Sequence, residues 1–310
     1  MRILLTGGTG FLGKNIQENL GQFMNQDYSL SVMGSSVYDL RCQHACRKMV
    51  QYHNPDVIVH AAGSVGGIGA NQENPGKFMY ENLIMGANLV ERARIEKVQK
   101  FVLLGTVCAY PKHTPVPFVE EHLWDGYPEE TNAPYGIAKK TLMRLLQAYG
   151  EQYGMRGANL IPVNMYGPHD HFNLTSSHVI PALILKFYNA MKDGGNVELW
   201  GTGSASREFL YAADCVQAIA RAIETEVDLD PINIGTGKEI TIRDLATEIA
   251  EQMGYEGEIK WQADKPDGQP RRCLDTSKAK ELLDFEAKTN LQTGLKETIK
   301  WFLNDKKLEK

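Results

Sequence analysis

The chain has no apolar run of the roughly 18 residues or more that a membrane span requires, so none is expected. It has no surplus of positive charge either. Its 33 Lys and Arg stand against 38 Asp and Glu, a net charge of −5, and no overall field draws it to nucleic acid or an anionic membrane. A local basic pocket stays compatible with that balance. Cysteine is sparse: Cys42, Cys46, Cys108, Cys215 and Cys273 are scattered, and no C-x-x-C pair occurs. That pattern supports neither a disulfide framework nor a metal site, and it fits reduced thiols. The apolar run after Arg2 is too short for a secretion signal and meets glycines at once. The reading therefore places the protein in the cytoplasm. Repeats and low-complexity tracts are also missing.

What the chain does have is alternation. Short apolar runs, "RILLT", "SLSVMG", "DVIVHAAG", "KFVLLGT" and "GANLIPVNMYG", are separated by amphipathic segments such as 41–53 and 77–96. Strands alternating with helices predict a doubly wound parallel sheet, an α/β fold of Rossmann type. Runs apolar at every position suit strands covered on both faces. After about residue 165 the texture changes to polar loop, short strands and further helices, one of them capped by Thr241 three residues before Asp244. The tail reads as two helices. The expected division is a dinucleotide-binding domain over 1–165, to which 204–235 returns, and a smaller α/β substrate-binding lobe over 166–310.

Gly7, Gly8, Gly10 and Gly13 lie between the first strand and the first helix. Glycines there let the backbone turn tightly and approach a pyrophosphate, which rests on N–H groups at the helix N-terminus. Gly7, Thr9, Gly10, Phe11, Leu12 and Gly13 are thus candidate cofactor contacts. An NAD site usually carries an acid after the second strand, for the ribose 2′-hydroxyl. Here Gly34, Ser35 and Ser36 occupy that region. Two hydroxyls accept a 2′-phosphate that an acid would repel, so NADP(H) is the expected cofactor.

Within "APYGIAKK", Tyr135 and Lys139 are four residues apart, one face of a helix turn. Alone the pair is commonplace. Together with "TGGTGFLG", "HAAG", "LLGTVCAYP" and "NMYGP", it resembles the extended short-chain dehydrogenase/reductase superfamily over nearly the whole chain. The resemblance implies that Tyr135 exchanges the proton of a carbinol while hydride moves at nicotinamide, and that Lys139 favours the phenolate and holds the ribose. It implies that Thr106, where most relatives have Ser, polarises the carbonyl. It also implies cofactor contacts at Asp39, Leu40, Ala61, Ala62, Gly63, Asn164 and His178.

Six further segments, "SVGGIGAN", "TVCAYPK", "NMYGPHDHF", "SHVIPALI", "WGTGSASREFLYAAD" and "KPDGQPRRCLD", are similar to the GDP-L-fucose synthase family. That resemblance implies a GDP-4-keto-6-deoxy hexose substrate, epimerised at C3 and C5 and then reduced at C4, in a homodimer. It implies Cys108 and His178 as the epimerising base and acid, and substrate contacts at Cys108, Asn164, Val179, Lys186, Trp200, Arg207 and Arg271. The glycine loop "GGTGFLG" is closer to the general epimerase/dehydratase pattern, and "HAAGS" departs from the narrower family. A 4-reductase without epimerisation and an NAD-dependent 4-epimerase of another nucleotide sugar therefore stand as alternatives.

Overall fold

Arg2–Thr6 is buried at every position after the first, as a strand covered on both faces must be. In the computed structural model, which describes residues 1–174, 176–265 and 269–308, this run is β1. The strands that follow are β2 (Ser29–Met33), β3 (Val57–His60), β4 (Lys100–Leu104), β5 (Gly157–Pro162), β6 (Asn164–Tyr166), β7 (Val197–Trp200), β8 (Ser206–Tyr211), β9 (Pro231–Ile234), β10 (Glu239–Thr241) and β11 (Ile259–Gln262). The helices are α1 (Phe11–Asn19), α2 (Gln43–His53), α3 (Ile68–Glu73), α4 (Pro75–Ile95), α5 (Ala133–Tyr153), α6 (Val179–Asp193), α7 (Ala212–Glu224), α8 (Ile242–Met253), α9 (Ser277–Leu283) and α10 (Leu291–Leu308).

Six strands form one parallel sheet in the order β2-β1-β3-β4-β5-β9. The order reverses between β1 and β3, and ligands of such sheets lie in the crevice at the carboxyl ends of the strands there. Helices α4 and α5 pack closely: a Cβ on Gly86 would sit 2.2 Å from a methyl of Leu142. The main core runs from Ile3 through the sheet to α7 and β9, with Cys215, Ile219 and Ile232 fully enclosed.

A second core joins Phe187 of α6, Ile249 of α8 and Phe302 of α10 to β7. The predicted cap on α8 is present: the Thr241 hydroxyl accepts from the Asp244 N–H at 3.0 Å and donates to its carboxylate at 2.7 Å. The single strand expected over 157–167 is two. Val163 still donates to the Ile234 carbonyl beside the main sheet, but Asn164–Tyr166 leaves to pair with β8. Tertiary pairing overrides the continuous apolar pattern. Among the described residues, no helix is long and apolar enough to cross a membrane.

Candidate active site

The glycine loop has the geometry a diphosphate needs. Gly7 has φ +76°, a left-handed conformation open to glycine, and a Cβ there would strike the backbone of Ala61 and Ala62 at 2.6–2.7 Å. A Cβ on Gly13 would lie 2.1 Å from the Gly7 carbonyl oxygen. The two glycines therefore let α1 start directly against β1 and β3. Gly10, exposed, is the N-cap, and the first turn beyond it (Phe11, Leu12, Gly13) carries neither an acid nor a side-chain cap. Its N–H groups and the helix dipole remain for an anion. These residues fit a dinucleotide.

Further round the crevice, the Thr9 side chain packs on Gly34, and Ser35 and Ser36 are exposed in the following turn. Asp39 pairs with Arg41 at 2.8 Å, and Arg41 reaches on to Glu81 of α4 at 2.9 Å. This pair, absent from the sequence reading, holds the carboxylate of Asp39 below its ordinary range. The Leu40 carbonyl accepts from Asn88 of α4 at 3.0 Å. Asn82 of α4 fixes the loop after β3, its amide oxygen accepting from the Ser64 N–H at 3.1 Å.

The helix α5 begins with Pro134 in its first turn, where a missing N–H costs nothing. It carries Tyr135 and Lys139 on the face toward β4. The Tyr135 hydroxyl lies close to Thr106. The Lys139 ammonium, 3 % exposed, donates to the Leu104 carbonyl at 3.1 Å, and it borders Gly63. Burial pulls its pKa down to about 8. Burial also pushes the Tyr135 phenol up, followed by the influence of Cys108 and opposed by the nearby Thr106.

Cys108 lies near this pair, half-buried against the main core. Its N–H donates to the Thr106 hydroxyl at 3.2 Å, and a Cβ on Gly136 would fall 2.3 Å from the Cys108 carbonyl oxygen, so α5 presses on its backbone. His178 is the N-cap of α6. Its side chain is exposed; desolvation by neighbouring protein, then the charge of His171, lowers its pKa. Its loop is tied to the loop after β3, since the Gly67 N–H donates to the Ser176 carbonyl at 2.9 Å. Among the described residues, no hydrogen bond or ion pair joins His178 to Cys108.

The remaining candidates divide. Asn164 is fixed by its amide, which donates to the Glu208 carbonyl at 2.9 Å. Val179 starts α6 against the second core. Lys186 donates to the Glu198 carbonyl at 2.8 Å, Trp200 is 68 % exposed at the end of β7, and Arg207 donates to the Ser206 carbonyl at 2.6 Å. Arg271 faces outward and is bound to the carboxylate of Glu239. Its neighbour Arg272, which the sequence reading passed over, faces inward and places Nη1 3.7 Å from the Cys108 sulfur. The doublet itself was the available signal, because successive side chains of an extended segment point opposite ways. Pro266, Asp267 and Gly268, within the family-like segment 265–275, and Thr175 lie outside the described residues.

Fold and site together define a Rossmann-type protein with a Thr–Tyr–Lys cluster at the carboxyl end of β4. The chain belongs to the NAD dependent epimerase/dehydratase family, whose pattern matches residues 3–235. It is 38 % identical over 305 residues to a GDP-L-fucose synthase of Sinorhizobium fredii, covering 98 % of this chain and 96 % of the relative. It is 37 % identical to a GDP-L-colitose synthase of Yersinia pseudotuberculosis over 99 % of both chains. Among solved structures, a GDP-L-fucose synthetase from Naegleria fowleri bound to NADP superposes with a TM-score of 0.92 at 28 % identity, over 99 % of this chain and 93 % of that one.

Proposed function

We propose that the chain is an NADP(H)-dependent epimerase/reductase of a GDP-4-keto-6-deoxy hexose. The observation that carries the reading is the cluster of Thr106, Tyr135, Lys139 and Cys108 at the carboxyl end of β4, with Lys139 bonded to the Leu104 carbonyl and Cys108 to the Thr106 hydroxyl. Its relatives act on GDP-linked sugars by name, and a solved neighbour holds NADP. NADPH supplies hydride when bound. Gly7, Gly10 and Gly13 bring its diphosphate to α1, and Lys139 holds the nicotinamide ribose. The Cys108 thiolate takes a proton from a carbon beside the ketone, whose electron pair delocalises into the carbonyl, and His178 returns a proton from the other side. Thr106 and Tyr135 then hydrogen-bond the C4 oxygen, and Tyr135 gives it a proton. Asn164, Lys186, Trp200 and Arg207 hold the nucleotide sugar, and the lobe over 166–310 closes on it. The molecule works in the cytoplasm as a homodimer through α4 and α5, where Met79, Tyr80 and Ile95 are exposed.

The test is turnover of GDP-4-keto-6-deoxymannose with NADPH in deuterated water. Wild-type protein consumes NADPH and the product carries deuterium at C3 and C5. Tyr135→Phe stops reduction and leaves exchange; Cys108→Ser stops exchange. No NADPH consumption with any GDP-4-keto sugar overturns the proposal.

A further inference from the structure

We infer that Arg272 is a positioning residue for Cys108, its guanidinium donating to the sulfur at the edge of the cleft and serving as counter-charge when the sulfur gives up its proton. The catalytic meaning of this pair rests on the epimerase reading above; the pair itself does not.

The geometry is that of a cation fixed for one purpose. Nη1 of Arg272 lies within sulfur hydrogen-bond distance of Sγ, at 3.7 Å. The rest of the fork is tied back: Nη2 and Nε donate to Oε1 of Gln269 at 2.9 and 3.3 Å, and Nε2 of Gln269 donates to the Lys112 carbonyl at 3.0 Å. The backbone is held as well. The Glu208 N–H donates to the Arg272 carbonyl at 3.1 Å, and the Leu274 N–H donates to the buried Glu208 carboxylate at 2.7 Å. Among the described residues no carboxylate forms a salt bridge with Arg272, whereas Glu239 takes Arg271. On the other side, Thr106 and Gly136 fix the Cys108 backbone.

Of the two forms of a cysteine, it is the thiolate that removes a proton from carbon. A half-buried sulfur that loses its own proton needs a counter-charge in contact with it. A guanidinium keeps its proton throughout, so it stays a cation as the sulfur cycles between S⁻ and S–H. In the step itself the C–H bond breaks, S–H forms, and the electron pair passes to the ketone oxygen. Arg272 touches none of these reacting atoms except sulfur.

The test needs no substrate. Full-length protein is treated with iodoacetamide at neutral pH, and alkylation is followed peptide by peptide, with exposed Cys42 as internal control. Arg272→Gln slows Cys108 alkylation by about tenfold, the factor that one unit of thiol acidity corresponds to. Arg272→Lys restores most of the rate, and Gln269→Ala, which frees the guanidinium, gives an intermediate one. Cys42 reacts equally in all four proteins. An unchanged Cys108 rate in Arg272→Gln overturns the inference. Should that variant not fold, an unchanged rate in Gln269→Ala overturns it instead. With the keto sugar, Arg272→Gln lowers kcat for C3 and C5 exchange and leaves KM nearly constant. A raised KM with alkylation unaltered makes Arg272 a diphosphate ligand and refutes the pairing. Absence of exchange in wild type, with the alkylation series intact, refutes the epimerase reading and leaves the pair standing.

Discussion

Replacing Lys139 with Met should make the protein more stable at neutral pH while abolishing reduction. The Lys139 ammonium is 3 % exposed, and desolvation draws its pKa from 10.5 to about 8. At ~1.4 kcal/mol per unit, holding that charge in the folded state costs ~3 kcal/mol at pH 7. The sign is definite. Between pH ~8 and ~10.5 the unfolded chain binds the proton that the folded one has released, so wild-type stability gains from Lys139 as pH rises through that window. Methionine removes the charge but leaves the Leu104 carbonyl without its donor, a loss of roughly 1.5 kcal/mol. Reversible urea unfolding should therefore find Lys139→Met more stable by about 1–2 kcal/mol at pH 7. That advantage reverses by about pH 10.5, once the wild-type amine is neutral and still packed. The thiols of Cys46 and Cys215, pushed up to about 12 by burial, destabilise both proteins alike in alkali and cancel in the difference. A variant less stable than wild type at pH 7, or a difference that does not move with pH, would refute the account of Lys139 as a strained cation.

Three further outcomes follow from particular contacts. Gly13→Ala puts a methyl 2.1 Å from the Gly7 oxygen; it should cost about 1–3 kcal/mol in urea and weaken NADPH at least about tenfold by fluorescence titration. Glu208→Ala strands the N–H groups of Gly237 and Leu274, bonded at 2.8 and 2.7 Å, and should lower the melting midpoint by roughly 6 °C or more. Asp170 has one buried carboxyl oxygen without a partner, and burial raises its pKa to about 7, so wild-type stability falls as pH climbs from ~4 to ~7. Asp170→Asn should be the more stable protein at pH 8, by ~4 kcal/mol at most, and lose that advantage near pH 4.

Much of this was legible in the chain. The glycine spacing after "RILLT", the alternation of apolar runs with helical segments, and the Thr241–Asp244 cap are local patterns with local physical causes, and each appears in the fold. Other features depend on what meets across space. Nothing in "GANLIPVNMYG" marks Val163 as the point where one sheet ends and another begins, because both strands are equally apolar. Arg41 lies past Asp39, and the fold turns it back onto that carboxylate. Arg271 and Arg272 are indistinguishable by type; Glu239 on one side and Cys108 on the other separate them.

The sixth strand of the main sheet has a consequence for synthesis. Because β9 pairs with β5 from far along the chain, a nascent polypeptide that has reached Pro162 exposes an open row of backbone donors and acceptors. Until residues 231–234 leave the ribosome, that row can recruit any neighbouring chain. Products cut short before Pro231 should therefore be found in inclusion bodies or on holdase chaperones, and a library of truncations assayed for solubility would show the step at β9.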